Sequence, residues 1–161
     1  MAVDMFLKIE GIDGESHDDA HEKEIDILAW SWGMSQSGTM HIGGGGGAGK
    51  VSVQDISFTK WIDQASPELA KHCANGKHIP EATLVVRKAS GDNPLEYITI
   101  TMKKIIVSSL SLGGSGGEDR LTENVTLNFR EVEYKYIEQT EEGGEGNKPD
   151  FKYDIAKNVV G

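Results

Sequence analysis

The chain has a single cysteine, Cys73, and four prolines in 161 residues. One thiol excludes any disulfide within the chain, which points to synthesis in a reducing compartment or to a fold that has no use for covalent staples. Positive charge is also scarce. Sixteen Lys and Arg face 26 Asp and Glu, for a net charge of -10, and the cations form no cluster. Neutralising a nucleic-acid backbone needs such a cluster, so no nucleic-acid partner is expected. No apolar run approaches the length that spans a bilayer, so no membrane insertion is expected either. The opening residues 1–11 carry Asp4 and Lys8 inside their short apolar run, unlike the charged leader and unbroken apolar stretch of a signal peptide. The expectation is a product made in the cytoplasm, with any export taking a route that reads no N-terminal signal.

What is present is glycine, twenty residues of it, placed between strongly alternating segments and so marking long turns. At 17.5 kDa the chain fits one domain, residues 1–161, which can take about 70% of its unfolded surface out of water without metal or disulfide. The stretch from Ile25 to Thr59 organises the rest, because it reads as two strand-like runs joined by a nearly all-glycine connection. In the first run Leu28, Trp30 and Trp32 fall on one face, read as the interior of the domain. Ile25, Ile27, Ala29 and Ser31 fall on the other, and all but Ser31 are apolar. A sheet with one wet face alternates apolar with polar, so this strand calls for cover on both sides, from a helix of the same chain or from another molecule.

Several motifs invite chemistry and fail on inspection. His17 and His21 stand at helical i, i+4 spacing, but the run HDDAH lacks the Glu of the zinc-protease motif and a third ligand is missing; it reads as a solvated loop. Gly44 and Gly49-Lys50 have phosphate-loop separation. However, Val51 stands where the Ser or Thr that holds magnesium belongs, and Val51 to Thr59 alternates like a strand, so no helix N-terminus backs the loop. No cofactor and no metal are expected, and the glycine run reads as a projecting hairpin loop over residues 38–50. Apolar parity changes near Gln54 and Asp55, and again between Phe129 and Val132, as in strands bent around a corner by a bulge. Two long bent strands point to a barrel or a strongly coiled sandwich. A helix is predicted from Pro67 to about Ala74, capped by Ser66 and stopped by Asn75-Gly76, with Cys73 in a packing role. Further strands are predicted at Met5–Ile9, Ala82–Ala89, Leu95–Met102, Ile105–Leu112 and Leu121–Ile137, with a final edge strand within Phe151–Val160.

Four stretches together resemble the haemolysin-coregulated protein (Hcp) family, the tube-forming component of bacterial type VI secretion: IDILAWSWGMSQSG at Ile25–Gly38, GGGGGAGKVSVQDISFTK at Gly43–Lys60, ATLVVRKA at Ala82–Ala89 and SGGEDRLTENVTLNF at Ser115–Phe129. With the opening residues they cover most of the chain up to about Phe129. The resemblance implies a mainly β fold, a two-sheet β-barrel with one short helix on its side. It also implies hexameric rings that stack into a hollow tube, a lumen that shelters small effector proteins, contacts with spike and sheath components, and secretion without a cleaved signal. Carried over by position, Ser31 faces the lumen and contacts cargo. Ile25, Ile27 and Ala29, sharing its parity, are inferred to line the same wall or its subunit seam. Gly43, Gly44, Gly45, Gly46, Gly47 and Lys50 correspond to the loop that reaches a neighbouring subunit or ring. Some relatives carry a toxin domain after the barrel; here the chain stops soon after its last candidate strand, as expected of the plain structural form.

The residues leave two other classes open. A β-barrel enzyme or small-ligand binder would need polar groups converging in one pocket, and the sequence offers scattered histidines and loop carboxylates with no catalytic signature. A lectin-like module would need exposed aromatic platforms, whereas Trp30 and Trp32 read as core.

Overall fold

The computed structural model describes residues 3–41, 49–88 and 94–161. Its strands are β1 (Val3–Ile9), β2 (Ile25–Ser31), β3 (Met34–Ser35), β4 (Ser52–Val53), β5 (Ile56–Trp61), β6 (Ile79–Lys88), β7 (Glu96–Gly113), β8 (Thr122–Tyr136), β9 (Asp150–Asp154) and β10 (Val159–Val160), and among the described residues there is one helix, α1 (Ala65–Asn75). Neighbours run β8, β5, β2, β1, β6, β7, and β7 pairs back to β8, so the sheet closes into a barrel, while β9 and β10 extend it from the second edge of β8. This is the mainly β barrel with a side helix that the resemblance implied. Its interior is filled by alternate residues of each strand, among them Ile25, Ile56, Phe58, Leu84, Ile100, Met102, Ile105 and Leu127, all fully buried. Each such side chain contributes roughly 1.5–3 kcal/mol by leaving water.

The two longest strands turn a corner together. Met102 and Ile105 both point into the core, as do their partners Val132 and Phe129. Two inward residues three apart require a parity change in both strands at one level, and there Lys104 adopts a left-handed backbone with φ 57°. The bend expected in Leu121–Ile137 is therefore present. The separate strands expected at Leu95–Met102 and Ile105–Leu112 are instead one strand, β7. Lys103 and Lys104 read as a break, but both are exposed and the ladder runs on past them.

The irregularity expected at Gln54 and Asp55 is a full break. β4 pairs with β3 in a separate two-stranded ribbon, and β5 begins beyond it. Two hydrogen bonds tie the ribbon's base to the barrel: the Gln54 N–H donates to the Gly33 carbonyl at 3.0 Å, and the Trp32 indole N–H donates to the Gln54 carbonyl at 3.0 Å.

Helix α1 starts at Ala65, ahead of the expected Pro67, because Asp63 Oδ1 accepts the Ala65 N–H at 3.0 Å and holds the first turn. Ser66 is not its cap; its hydroxyl faces Glu123 and Lys60 instead. The far end is as expected: Gly76 has φ 66° and donates its N–H to the His72 carbonyl at 3.0 Å, a left-handed stop that glycine adopts without Cβ strain. Leu69 enters the core and Cys73 packs half-buried against it.

Two more expectations change. The tail forms a hairpin, β9 with β10, where one edge strand was expected. The segment before β2 is not merely solvated, because Ser16 and His21 are buried there.

Candidate functional site

Strand β2 decides which surface is available for function, and its parity differs from the sequence reading. Ile25 and Ile27 are buried in the barrel, whereas Leu28, Ala29 and Ser31 are exposed and Trp30 packs partly buried against the core. The cause is a register shift between Ile27 and Ala29: one extra residue turns the strand over, so inward positions change from odd to even. Ile27, expected beside Ser31 on an outward wall, lies inside at 5% exposure. Ala29 and Ser31 do share the outward face.

On that face the register builds two straight rows across four strands. Ser31 pairs with Ser57, Ser57 with Thr126, and Thr126 with Ser109. One step along, Ala29 pairs with Thr59, Thr59 with Asn124, and Asn124 with Ser111. None of these side chains carries a charge or exceeds asparagine in size, although 26% of the chain is charged. The first row is hydroxyl throughout. Thr59 Oγ1 donates to Asn124 Oδ1 at 2.7 Å, and the Thr126 hydroxyl lies 2.7 Å from that of Ser108 and 2.6 Å from that of Ser109. At the margin, Asp55 accepts from the Ser108 hydroxyl at 2.6 Å and from Asn128 Nδ2 at 2.8 Å, so its charge is tied down. The face is smooth, neutral and already hydrogen-bonded within itself.

The opposite side of the barrel is built differently. There Glu81, Lys103, Glu131 and Asp154 stand in one cross-strand row, and Thr83, Thr101, Glu133 and Lys152 in the next. Glu133 lies 2.8 Å from Lys135 Nζ and 3.5 Å from Lys152 Nζ. The Lys135 hydrogen bond, outweighing partial burial, holds the Glu133 carboxyl below its usual range. A groove of about 530 Å³ runs over these rows. Its charges are spread along the rows, with Glu131 beside Asp154, and Glu133 is already engaged by Lys135 and Lys152, so they do not converge on a common point as a small-ligand site requires. Among the described residues no three His, Cys, Asp or Glu are placed to hold a metal.

The neutral face ends in open margins. β6 pairs only with the first part of β7, so residues 106–113 have β8 on one side and, among the described residues, no ladder partner on the other, while helix α1 packs against the same strand. β1 pairs only with Ile25 and Asp26, so among the described residues the second half of β2 has no ladder partner on that side. Exposed apolar side chains sit at both margins: Leu112 and Ile106 on β7, Leu28 on β2. An exposed edge with unpaired N–H and C=O groups is a template for another chain.

Of the remaining sequence candidates, Gly43 to Gly47 lie outside the described residues. Lys50 is exposed at the base of the ribbon loop, beside Gly49, whose N–H donates to the Ser37 carbonyl at 3.3 Å. Sequence reading found Ser31 and missed Ser57, Thr59, Ser109, Ser111, Asn124 and Thr126. Their signal was present as short uncharged residues alternating with core positions in ISFT, NVTLN and VSSLS.

Comparison with known proteins converges on one family. A sequence model described as "Type VI secretion system effector, Hcp" matches residues 6–136. The chain is 59% identical over 160 residues to "Protein hcp1" of Pseudomonas aeruginosa, covering 99% of each. Among solved structures it is similar to Hcp1 from Salmonella typhimurium, with 47% identity, TM-score 0.83 and 99% of both chains covered. It is also similar to a type VI secretion system effector from Yersinia pestis, with 37% identity, TM-score 0.77, and 94% of this chain and 100% of the other covered. A further type VI secretion protein superposes with TM-score 0.93 at 31% identity, covering 99% of this chain and 100% of that one.

Proposed function

The chain belongs to the Hcp family of type VI secretion, whose members are structural ring and tube subunits of that machine, and from that membership we propose that its neutral sheet face lines the lumen of a six-membered ring and holds small effector proteins there. The observation that carries this reading is the pair of uncharged rows running from Ser31 to Ser109 and from Ala29 to Ser111. A lumen that shelters varied folded cargo is best walled by short side chains that neither protrude nor impose a charge pattern, leaving weak hydrogen bonds repeated around a ring to act together.

The open margins supply the means of closure. The free edge of β7 and the open half of β2 differ in sequence and lie at opposite sides of one face, so a contact between them is heterologous, and a heterologous contact whose rotation closes makes a ring. The charged rows then face outward, toward a sheath. The ribbon loop carrying Gly43, Gly44, Gly45, Gly46, Gly47 and Lys50 reaches an adjacent subunit or ring, a spike caps the stack, and the assembly leaves the cell through the machine itself. The subunit is non-enzymatic; its work is enclosure and transport.

Sedimentation and negative-stain imaging of purified protein test the reading. Rings are expected, and a Leu112→Lys variant, with a cation on the free edge, should remain folded and become monomeric. Wild-type protein that stays monomeric at every concentration and salt would overturn the proposal.

A further inference from the structure

We propose that His21 holds a proton between two carboxylates and works as a latch on the 10–24 segment, one that loosens as the pH rises. The residue is 6% exposed, with Nδ1 2.9 Å from Glu24 Oε1 and Nε2 2.7 Å from Glu96 Oε1. Ionised carboxylates only accept, and a neutral imidazole offers one N–H and one lone pair. A neutral ring here, itself buried, would aim its lone pair at a carboxylate oxygen within hydrogen-bond distance. The contacts are satisfied when the three groups together hold one further proton, as imidazolium with two carboxylates or as imidazole with one carboxyl group. The proton count is the same in both forms.

The surroundings call for that positive charge. The imidazole stacks on Phe6 with ring centroids 4.4 Å apart and planes within 10°, and the Arg87 guanidinium lies over the same Phe6 ring at 5.0 Å. Around them stand Asp18 and Glu24 from the segment itself, Asp4 from β1, Arg87 from β6 and Glu96 from β7. Arg87 is engaged by Asp18 and Asp4. Four carboxylates thus face one guanidinium, and a protonated His21 is the second cation that Glu24 and Glu96 require.

The latch fastens one element to another. Within the segment, the Lys23 N–H donates to the Ser16 carbonyl at 2.9 Å and the Gly14 N–H to the Lys23 carbonyl at 2.7 Å, folding it back around His21. His21 then ties this unit to Glu96, the first residue of β7. When the segment opens, the ring enters water, where an imidazole is mostly neutral above about pH 7, and the held proton is released. Release of one proton makes the opening equilibrium rise by up to about tenfold per pH unit.

Amide hydrogen exchange on the full-length protein from pH 6 to 9 tests this. The amides of Gly14, Ser16 and Lys23 are compared with β7–β8 ladder amides, which report intrinsic base catalysis. Wild type should show excess opening of the segment that approaches tenfold per pH unit. Glu96→Gln removes one carboxylate at a half-exposed position and lets a neutral ring be satisfied on both sides, since an amide either donates or accepts; the excess slope should vanish. A wild-type segment with the same slope as the ladder amides, or a Glu96→Gln segment that keeps the wild-type slope, overturns the latch.

Discussion

Lys60 and Glu123 stand directly opposite each other on β5 and β8, and their side chains meet inside the protein, Nζ to Oε1 at 2.5 Å, with about 1% of Lys60 and none of the Glu123 side chain exposed. The ammonium also donates to Asp63 Oδ1 at 2.9 Å and to the Trp61 carbonyl at 2.8 Å, and Ser66 Oγ donates to Glu123 Oε1 at 2.7 Å. The network joins the barrel wall to the first turn of α1 and explains why Ser66 is not that helix's cap.

Removing one ion of this pair strands the other. Lys60→Met should cost about 3–5 kcal/mol, because Glu123 would be left buried and uncompensated. Lys60→Met with Glu123→Leu should recover most of that loss. Urea unfolding of the two variants checks the difference, and equal losses would mean that the pair is not buried as described.

The proposed lumen face can be altered apart from the core. Ser31→Gln and Ser111→Gln add bulk at exposed positions, so unfolding free energies should change by no more than about 0.5 kcal/mol and rings should persist. Retention of a co-expressed effector should fall in both. Loss of rings in Ser31→Gln, seen by sedimentation, would place that side chain in a seam.

Acid should weaken the contact between Asp18 and Arg87 in a defined direction. The Arg87 hydrogen bond holds the Asp18 carboxyl below the ordinary aspartate value, so the folded form favours the ionised group. That stabilisation is complete above the ordinary value and is lost as the pH falls through the lowered one. In Asp18→Asn, melting temperatures tracked downward from pH 6 should fall less steeply than in wild type.

Each copy brings a net charge of -10, so ring closure works against mutual repulsion that salt screens over about 10 Å at 0.1 M. Assembly monitored by sedimentation should strengthen from very low to moderate ionic strength. Weakening over that range would show that attractive ion pairs govern the seam.

Much of the fold was legible because alternation is a local property. The runs around Val85, Ile100, Val125 and Leu127 announce strands, Asn75-Gly76 announces the end of a helix, and the parity slip after Phe129 announces a bend. Less legible were features that depend on two segments at once. His21 looked like part of a polar loop because neither Glu96 nor Phe6 is near it in sequence. Lys103-Lys104 looked like a break because nothing local shows that β8 continues to pair across it. Ile27 looked outward because a bulge exists only relative to the partner strand.

The sequence by itself determined the β class, the family and the short neutral residues that alternate with the core, since each is written in residue type and spacing along one strand. Only the tertiary structure decided that Ser31, Ser57, Thr126 and Ser109 form one row, and that the turn beyond Ile27 sends Ser31 outward. The physical reason is that ladder register is a relation between backbones, set when hydrogen bonds and core packing on both sides are satisfied together, and a shift of one residue exchanges the two faces.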